Sequence, residues 1–249
     1  MSFNYESIPK GFYDKIFDAP NGVRKFWHWH KFDSVLRSIN FSSVATILDV
    51  GCFSGSFIGR FLGEKRIEAT GIDILPKQVE YAVDKFTGKS QKFICIQNFE
   101  EATIKLNGQT FDAVTFIEVI EHLTHDQIRS FFRMLDQLTH KGSQVVITTP
   151  NYISLWPLLE IILNRVSDVE YEEQHITKFT VFDIERKLGR IYSSFAQNYK
   201  IEIKTTSHFI TPWIAGINYA FATKLSSKIS PLSWPNPFGS IIILKLVRL

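Results

Sequence analysis

The middle of the chain alternates short apolar runs with amphipathic stretches, and this alternation limits the possible folds more than any other feature. Seven short runs are predicted as strands, at 46–51, 67–73, 92–97, 111–117, 143–150, 199–207 and 239–249. Helices are predicted at 54–63, 76–86, 126–138 and 180–190, and the stretches at 76–86 and 126–138 place apolar side chains at helical spacing. Strands that alternate with helices are typical of βαβ units around a parallel sheet. We therefore predict an α/β fold with helices on both faces of a mostly parallel sheet.

Two regions fall outside the alternation, and we expect both to form caps on a single domain. The chain divides into an N-terminal helical cap at 1–42, a core at 43–206, an inserted cap at 207–238 and a last strand at 239–249. The insertion is far longer than a turn between two strands needs to be. We expect both caps over the carboxyl edge of the sheet, because open α/β sheets bind ligands there.

Composition gives no reason to expect export or nucleic-acid binding. The formal charge of +3 is small, and Cys52 and Cys95 provide no disulfide framework, which suits a reducing cytoplasm. The N-terminus has no signal-peptide pattern. The apolar stretch at 153–163 is shorter than the roughly 18 residues that a membrane-spanning helix needs. We expect a cytoplasmic protein, with peripheral membrane contact through 207–238 as an additional option.

The first strand leads into "ILDVGCFSGSF", residues 47–57, which has the residues of a cofactor-binding turn. Gly51 and Gly55 stand where the chain must turn sharply and let a ligand approach the backbone. The next helix can offer free N–H groups to an anionic ligand group. Asp73 ends the second strand, where a carboxylate can accept hydrogen bonds from both hydroxyls of a ribose. The alternative for Asp73 is an N-cap of the helix that follows it.

Four stretches in this order, "LDVGCFSGSF", "GIDILPKQVEYA", "FDAVTFIEVIEHL" and "VVITTPN", resemble the class I S-adenosylmethionine-dependent methyltransferases. The resemblance covers about residues 46–190. It implies a Rossmann-like sheet of seven strands, S-adenosylmethionine as the cofactor and methyl transfer as the activity. A nicotinamide enzyme is the structural rival, but its G-x-G-x-x-G fingerprint is absent, since the chain has G-C-F-S-G.

The resemblance also implies a set of cofactor contacts. Carried over by motif, they are Asp49, Gly51, Cys52, Phe53, Gly55, Asp73, Ile74, Asn98, Phe99 and Ile117. Asp49 and Gly51 would lie by the methionine moiety, and Asp73 would bind the ribose. The family usually has a glycine where this chain has Phe53, so the loop cannot approach the cofactor in the common way. We expect the Phe53 backbone to line the methionine end while the ring turns into the pocket.

The adenine end of the cofactor is assigned in the same way. Ile74 would pack on the adenine face, and Phe99 would stack nearby. Asn98 falls where the family often has an Asp that reads the adenine amino group, and an amide oxygen can accept the same hydrogen bond. Cys52 is interpreted as a small packed residue and not as a nucleophile.

The stretch "FIEVIEHLTHDQ", residues 116–127, brings acidic and imidazole groups to the end of the fourth strand. His122 could take the proton of a hydroxyl acceptor, because imidazole titrates near neutral pH. A second reading is a metal site formed by Glu118, Glu121, His122 and the distant His175. This pattern resembles the magnesium-dependent O-methyltransferases of ubiquinone biosynthesis and the small-RNA 3′-terminal 2′-O-methyltransferases, and it implies Mg or Mn.

A third reading is structural. An acidic first turn stabilises any helix through the helix dipole, and His175 could hold a loop through backbone contacts. If a helix begins at Glu118, then Glu118 and His122 are i, i+4 neighbours on one face. The sequence leaves these three readings open, with Glu118, His122 and His175 as the candidate catalytic residues.

The inserted cap gives the best indication of the methyl acceptor. Residues 205–249 contain no acidic residue, while the cations are Lys224, Lys228, Lys245 and Arg248 and the aromatic residues include Trp213, Tyr219, Phe221, Trp234 and Phe238. Such a surface suits an amphiphilic substrate, and a second small core would explain the aromatic residues equally well. The N-terminal "FWHWH" at 26–30 is expected to close over the cofactor, with Trp or His on the substrate.

We therefore favour O-methylation of a small-molecule, glycan or lipid-linked hydroxyl. The alternative is a metal-dependent 2′-O-methyltransferase that acts on RNA 3′ ends. An RNA-binding protein would have a basic groove with stacking aromatic side chains, and a net charge of +3 offers little support for one.

Overall fold

A computed structural model describes residues 8–63, 66–154, 175–228 and 236–249. Within these residues the strands are β1 (Thr46–Val50), β2 (Glu68–Asp73), β3 (Gln91–Cys95), β4 (Phe111–Ile117), β5 (Thr139–Pro150), β6 (Tyr199–Ser207) and β7 (Ile241–Arg248). They form one seven-stranded sheet in the order β3-β2-β1-β4-β5-β7-β6. Strands β1 to β5 pair in parallel, and β7 is antiparallel to both of its neighbours. The predicted Rossmann-like, mostly parallel sheet is confirmed.

The described helices include those predicted at 76–86, 126–138 and 180–190, and others that the sequence pattern did not predict. They are α1 (Phe12–Asp18), α2 (Val23–Ser38), α3 (Pro76–Phe86), α4 (Phe99–Lys105), α5 (His125–Leu138), α6 (Ile184–Ile191), α7 (Phe195–Asn198), α8 (Thr211–Ala215) and α9 (Tyr219–Lys228). Helix α5 begins after a capping box in which Thr124 and Gln127 exchange hydrogen bonds. The helix predicted at 54–63 is a π-helix over Phe57–Leu62. Wider π-type turns are often found at functional sites.

Two apolar layers cover the two faces of the sheet. On one face, Phe116 of β4 stacks on Phe131 of α5 with ring centroids 3.9 Å apart. On the other face, Ile47 of β1 belongs to a cluster with Phe57 and Val35 of α2. Successive strand residues point to opposite faces, and Leu48 accordingly joins the first layer. The prediction of helices on both faces is confirmed.

Helix α1 is held to the core by one buried carboxylate, Asp14. Its Oδ1 accepts hydrogen bonds from Arg60 Nε at 2.5 Å and Ser56 Oγ at 3.0 Å, and its Oδ2 accepts them from Lys85 Nζ at 2.5 Å and Tyr81 Oη at 2.8 Å. Burial alone would raise the pKa of Asp14, but the hydrogen bonds from Arg60, Lys85 and Tyr81 outweigh it and lower the pKa to about 2. The N-terminal cap is therefore tied to the helices of the core.

Replacing Asp14 with asparagine is expected to lower the free energy of unfolding at neutral pH by about 2 kcal/mol, since one pKa unit corresponds to about 1.4 kcal/mol. In the wild type, the same contribution is complete above pH 3.8 and is lost as the pH falls towards 2. Urea unfolding followed by circular dichroism measures both effects. Asp33→Asn is the matched control, because Asp33 pairs with Arg37 one turn along α2 at the surface. An equal loss in both variants would contradict the assignment to Asp14.

The inserted cap packs on the N-terminal cap. Ala215 of α8 and Ala222 of α9 form an apolar cluster with the fully buried Phe26 of α2. Among the described helices, none is long and apolar enough to cross a membrane. Trp234 of the cap and most of the 153–163 stretch lie outside the described residues.

Candidate active site

A cavity of about 790 Å³ lies at the carboxyl edge of the sheet, between the strand ends and the two caps. Its wall includes residues of the β1 turn, of α2 in the N-terminal cap and of α8 in the inserted cap. Twelve of the predicted site residues line it: Asp49, Gly51, Cys52, Phe53, Asp73, Ile74, Phe99, Ile117, Glu118, Glu121, His122 and His175. Gly55 and Asn98 are outside this lining. The fold thus brings residues that are far apart in sequence to one cavity, as expected for the carboxyl edge of an open sheet.

The turn after β1 has the geometry that its glycines predict. Gly51 has φ 75°, and a Cβ there would lie 2.5 Å from Val119 Cγ2, so no other residue fits without displacing that side chain. Gly55 has φ 74°, and a Cβ there would lie 2.7 Å from the Ala82 Cβ of α3. Gly51 therefore allows the turn to pack against Val119, whereas Gly55 allows it to pack against α3.

Phe53 adopts the backbone conformation of a glycine although it carries an aromatic ring. Its φ is 47°, in the left-handed region that L-residues rarely occupy. The ring lines the cavity and packs edge-on against Tyr13 of α1 with centroids 5.0 Å apart. The Phe53 N–H donates to Asp73 Oδ2 at 2.7 Å. The side chain that replaces the usual glycine thus connects the cofactor loop to the N-terminal cap.

Asp73 and Asp49 present two buried carboxyl groups to the cavity. Asp73 accepts backbone hydrogen bonds from Phe53 at Oδ2 and from Leu75 at Oδ1, the latter at 2.9 Å just before α3. Burial nevertheless raises the pKa of Asp73. Asp49 accepts a hydrogen bond from Thr115 Oγ1 at 2.7 Å, and burial raises its pKa to about 7. Each carboxylate oxygen can accept a second hydrogen bond, so the backbone contacts of Asp73 leave capacity for a ligand.

Two of the predicted cofactor contacts have structural roles in this fold. Asn98 is exposed and caps α4, with its Oδ1 accepting from the Glu101 N–H at 2.8 Å. Asn98 therefore lies outside the cavity lining, and its assignment to the adenine amino group stays a prediction. Cys52 is buried against Gly71, where an added Cβ would lie 2.9 Å from its Sγ. Burial raises the pKa of the Cys52 thiol, which keeps it protonated and unreactive.

Three of the four predicted metal ligands come together in the cavity wall. One carboxylate oxygen of Glu121 and one imidazole nitrogen each of His122 and His175 lie within 4.8 Å of one another. Glu118 is outside this group, so the predicted four-residue set is not formed. The proposed i, i+4 relation between Glu118 and His122 is wrong, because Glu118 has φ 55° and a short 3₁₀ turn at Ile120–His122 follows it.

Neighbouring hydroxyl groups orient this cluster. Thr149 Oγ1 donates to Glu121 Oε2 at 2.9 Å, and the Tyr152 hydroxyl is 2.5 Å from His175 Nδ1. Glu118 is oriented separately, since its Oε1 accepts from Thr148 Oγ1 at 3.0 Å. Burial raises the pKa of both carboxyl groups, that of Glu118 to about 7. Two buried acids side by side favour a cationic neighbour.

The comparison with known proteins decides the family. A family model described as a methyltransferase domain matches residues 26–191, which is more than half of the chain. The chain belongs to this methyltransferase family. The resemblance to class I S-adenosylmethionine-dependent methyltransferases is thereby confirmed. Most residues that line the cavity belong to the matched region, and the others come from the two caps.

Curated relatives of this methyltransferase match about half of the chain. A small RNA 2′-O-methyltransferase of Arabidopsis thaliana is 32% identical over 133 residues, which are 49% of this chain and 14% of that protein. A ubiquinone biosynthesis O-methyltransferase of Vibrio cholerae is 28% identical over 121 residues, which are 49% of this chain and 48% of that protein. The chain thus spans about half of one relative's length and much less of the other's.

The fold of the methyltransferase extends the likeness to nearly the whole chain. The plantazolicin methyltransferase BamL, solved in complex with S-adenosylhomocysteine, superposes with a TM-score of 0.62. The match covers 95% of this chain and 94% of that one at 17% sequence identity. The caps as well as the sheet therefore take part in the structural similarity.

Several cavity residues of the methyltransferase could not be recognised from the sequence. Lys31 of α2 is buried in the cavity wall, and burial lowers the pKa of its ammonium group although Glu118 and Glu121 attract it. Tyr13, which lines the cavity, and Tyr152, which is outside the lining but contacts His175 through its hydroxyl, were also missed. Lys31 and Tyr13 come from helices with no catalytic motif, and no signal at the sequence level marks them. Tyr152 follows directly after the stretch "VVITTPN", and this position next to a family motif is the sequence feature that could have indicated it.

Of the two histidines in "FWHWH", only His28 lines the cavity. His30 faces the inserted cap instead, with its ring centroid 4.6 Å from that of His208. Burial lowers the pKa of His208 well below its ordinary value, so the ring is neutral. Its Nε2–H donates to the Trp27 carbonyl at 2.9 Å, and its Nδ1, which then carries no proton, accepts from Ser207 Oγ at 2.7 Å. The contact between the two caps is therefore built on uncharged imidazoles.

The stability of the methyltransferase is expected to fall as the pH drops from about 6.5 to about 4. Burial lowers the pKa of His30 to about 4, so the unfolded chain binds a proton there that the folded chain does not. His30 alone accounts for a loss of roughly 3 kcal/mol across this range. Urea unfolding at several pH values measures it. His30→Leu should reduce this loss of stability, whereas His125→Ala, at an exposed site, should leave it unchanged. An unchanged profile in His30→Leu would contradict the role of His30.

Proposed function

We propose that this methyltransferase transfers the methyl group of S-adenosylmethionine to a hydroxyl oxygen of a small-molecule, glycan or lipid-linked acceptor. One observation carries the proposal. The cluster of Glu121, His122 and His175 opens into the same cavity as the carboxylates of Asp49 and Asp73. A group that can take a proton thus lies in one chamber with residues suited to the methyl donor.

The residues present fit the adenosyl donor. Gly51 lines the cavity with a backbone conformation that favours glycine, and the buried carboxyl group of Asp49 belongs to the same wall. Asp73 retains acceptor capacity for the ribose hydroxyls, and Ile74 and Phe99 offer apolar surfaces for the adenine ring. The donor supplies a methyl carbon that its sulfonium already activates. The high pKa of Asp49 favours a ligand with a positive charge, because such a charge offsets the cost of ionising a buried carboxyl group.

The acceptor must be aligned with this methyl group and must lose a proton. His122 lies on the cavity wall, and its Nε2 is 3.9 Å from Glu121 Oε1. The carboxylate orients the imidazole and stabilises the imidazolium that forms when the hydroxyl proton is taken up. The aromatic wall from α2 and α8 keeps water from the reacting atoms and holds an apolar acceptor body.

The same cluster has the donor set for a divalent metal ion. Two imidazole nitrogens and one carboxylate oxygen suit Mn, Fe, Co or Zn better than Mg, which prefers oxygen ligands. Glu121, His122 and His175 would hold such an ion, with Thr149 and Tyr152 orienting the ligands. A bound ion would act as a Lewis acid that lowers the pKa of the acceptor hydroxyl.

A second candidate function is 2′-O-methylation at RNA 3′ ends. The 32% identity to the small RNA 2′-O-methyltransferase and the acid–histidine cluster both favour it. The cavity wall favours a smaller and less charged acceptor. Within the described lining its cationic side chains are Arg24 and Lys31, and most of the other lining residues are apolar or aromatic.

The test is methyl transfer from labelled S-adenosylmethionine to matched acceptors, followed by product mass. The panel holds catechols, sugars, polyprenyl phenols and short RNAs with a 2′-hydroxyl or a 2′-deoxy 3′ end. We expect label on an oxygen of a small or lipid-linked acceptor. Label on the RNA that requires the 2′-hydroxyl would replace this proposal with the second candidate, and label on nitrogen would overturn both.

Removal of metal separates the two roles of the cluster. The enzyme is stripped with EDTA, dialysed, and assayed alone and with Mg or Mn restored. If a metal is required, activity should fall by at least about a hundredfold and return with Mn more fully than with Mg. Full activity without metal would leave His122 as a base that acts without a metal ion.

A further inference from the structure

We propose that the outer face of the inserted cap binds an anionic membrane surface. This cap face consists of Ile210, Trp213, Ile217, Phe221, Lys224 and Lys228. Its apolar side chains are unusually open to solvent, at 47% exposure for Trp213, 92% for Ile217 and 53% for Phe221. Large apolar side chains clustered at a surface mark an interaction site more often than isolated ones do.

The cap face points away from the protein. On α8 the buried residues are Thr211, Pro212 and Ala215, and on α9 they are Ala222 and Ser226. Both helices pack these sides towards the cluster around Phe26 of α2. The exposed side chains therefore lie on the opposite sides of both helices, where the described chain offers them no apolar cover.

The charge of the cap face selects an anionic partner. Lys224 and Lys228 follow Phe221 by three and seven residues, so all three lie along one side of α9. The sequence contains no Asp or Glu from 203 to 249. Neither lysine has an ion pair within the described residues, whereas Lys245 and Arg248 of β7 pair with Glu202 and Asp136. The two cap lysines are thus the cations of this region that remain available to an external anion.

The mixture of groups favours a membrane over RNA or a protein partner. Exposed bulky apolar side chains beside two lysines match the boundary between acyl chains and anionic headgroups. An RNA site would need more cations, and a protein interface depletes lysine at its centre. The cap face therefore matches the chemistry of a lipid surface with phosphate headgroups.

The cap face also borders the mouth of the active-site cavity. Trp213 is half-exposed and lines the cavity, as does Val23 at the start of α2, which is 46% exposed. A Cβ on Gly216 would lie 3.2 Å from Val23 Cγ2, so the two caps meet at this mouth. Bound in this way, the enzyme would open its cavity towards the bilayer and take up a lipid-linked acceptor. This last consequence rests on the proposed function, whereas membrane binding itself does not.

Vesicle co-sedimentation of the full chain tests the inference. Vesicles of phosphatidylcholine alone are compared with phosphatidylcholine mixed with phosphatidylglycerol. We expect binding to the mixed vesicles that weakens with added salt. Ile217→Ser combined with Phe221→Ser should reduce partitioning by about a hundredfold, because two large apolar side chains no longer insert. Lys224→Glu combined with Lys228→Glu should reduce it by about thirtyfold or more.

Matched controls change the same residue types elsewhere. Ile104→Ser removes a side chain of α4 that is 75% exposed, and Lys141→Glu alters a cation at the amino end of β5. Both should bind vesicles like the wild type, and calorimetry with S-adenosylhomocysteine checks that each variant is folded. Absent binding, equal binding to both vesicle types or unchanged binding of the cap variants would overturn the inference. A dimer that Phe221→Ser dissociates would overturn it as well, since a second copy would then cover the cap face. None of these readings depends on methyl transfer.

Discussion

Replacing His122 with alanine is expected to lower the rate of methyl transfer by about a hundred- to ten-thousand-fold, the range typical of a lost general base. The imidazole lies on the cavity wall beside Glu121, where it can take the acceptor proton, and it belongs to the cluster that suits a metal. Either of these proposed roles would make the residue essential to the chemical step. Single-turnover kinetics with labelled S-adenosylmethionine measures the rate without a contribution from product release.

The affinity for S-adenosylhomocysteine should remain within about twofold in His122→Ala, because the assigned ribose and adenine contacts come from other residues. His140→Ala is the matched control. His140 lies beside Asp112 with Nε2 and Oδ1 2.9 Å apart, away from the cavity lining. A normal rate in His122→Ala would remove the cluster from the mechanism, and an equal defect in His140→Ala would point to a general loss of structure.

Asp73→Ala is expected to weaken binding of S-adenosylhomocysteine by about a hundredfold or more, since a hydrogen bond to a charged group contributes about 1.5–3 kcal/mol. The carboxylate has two roles. It would accept the ribose hydroxyls, and it holds the Phe53 turn in place through the backbone bond at Oδ2. Isothermal titration calorimetry with the pure protein measures the change directly.

Asn98→Ala is the informative companion variant. Asn98 comes just after β3, and its Oδ1 caps α4 instead of facing the cavity. We expect the substitution to cost about 1 kcal/mol of stability through the lost cap while cofactor affinity is retained. A strong loss of affinity in Asn98→Ala would restore its assignment to the adenine amino group. Unchanged affinity in Asp73→Ala would instead remove the basis for the whole cofactor site.

The sheet could be predicted well because buried parallel strands are short, continuous apolar runs. Strands β4 and β6 match the predicted segments at both ends. Strand β5 begins four residues before the predicted 143, because Thr139 pairs with Phe111 ahead of an irregularity in the β4–β5 register. Such pairing depends on contacts with a neighbouring strand, and local sequence patterns do not predict these contacts.

The turn after β1 could be predicted from local geometry, because the left-handed backbone at Gly51 favours glycine, while the cofactor contacts assigned to it stay predictions. The acid–histidine cluster was predicted only in part. His175 joins Glu121 and His122 through the tertiary fold, and the hydroxyl of Tyr152 fixes its orientation. Glu118 was misplaced because nothing in the local sequence shows that a left-handed residue would interrupt the path from β4 to the next turn.

In the part of the chain that the structure describes, three residues other than glycine have positive φ angles, namely Phe53, Glu118 and His208. Phe53 and Glu118 line the cavity. His208 follows directly after β6 and contacts Trp27 of the N-terminal cap. Each such conformation costs roughly 1–3 kcal/mol relative to a relaxed backbone. Glycine at any of the three would release that strain and lose a ring or a carboxylate at the same time. A screen that rewards heat resistance alone should therefore drive this enzyme towards inactive sequences, beginning at these positions.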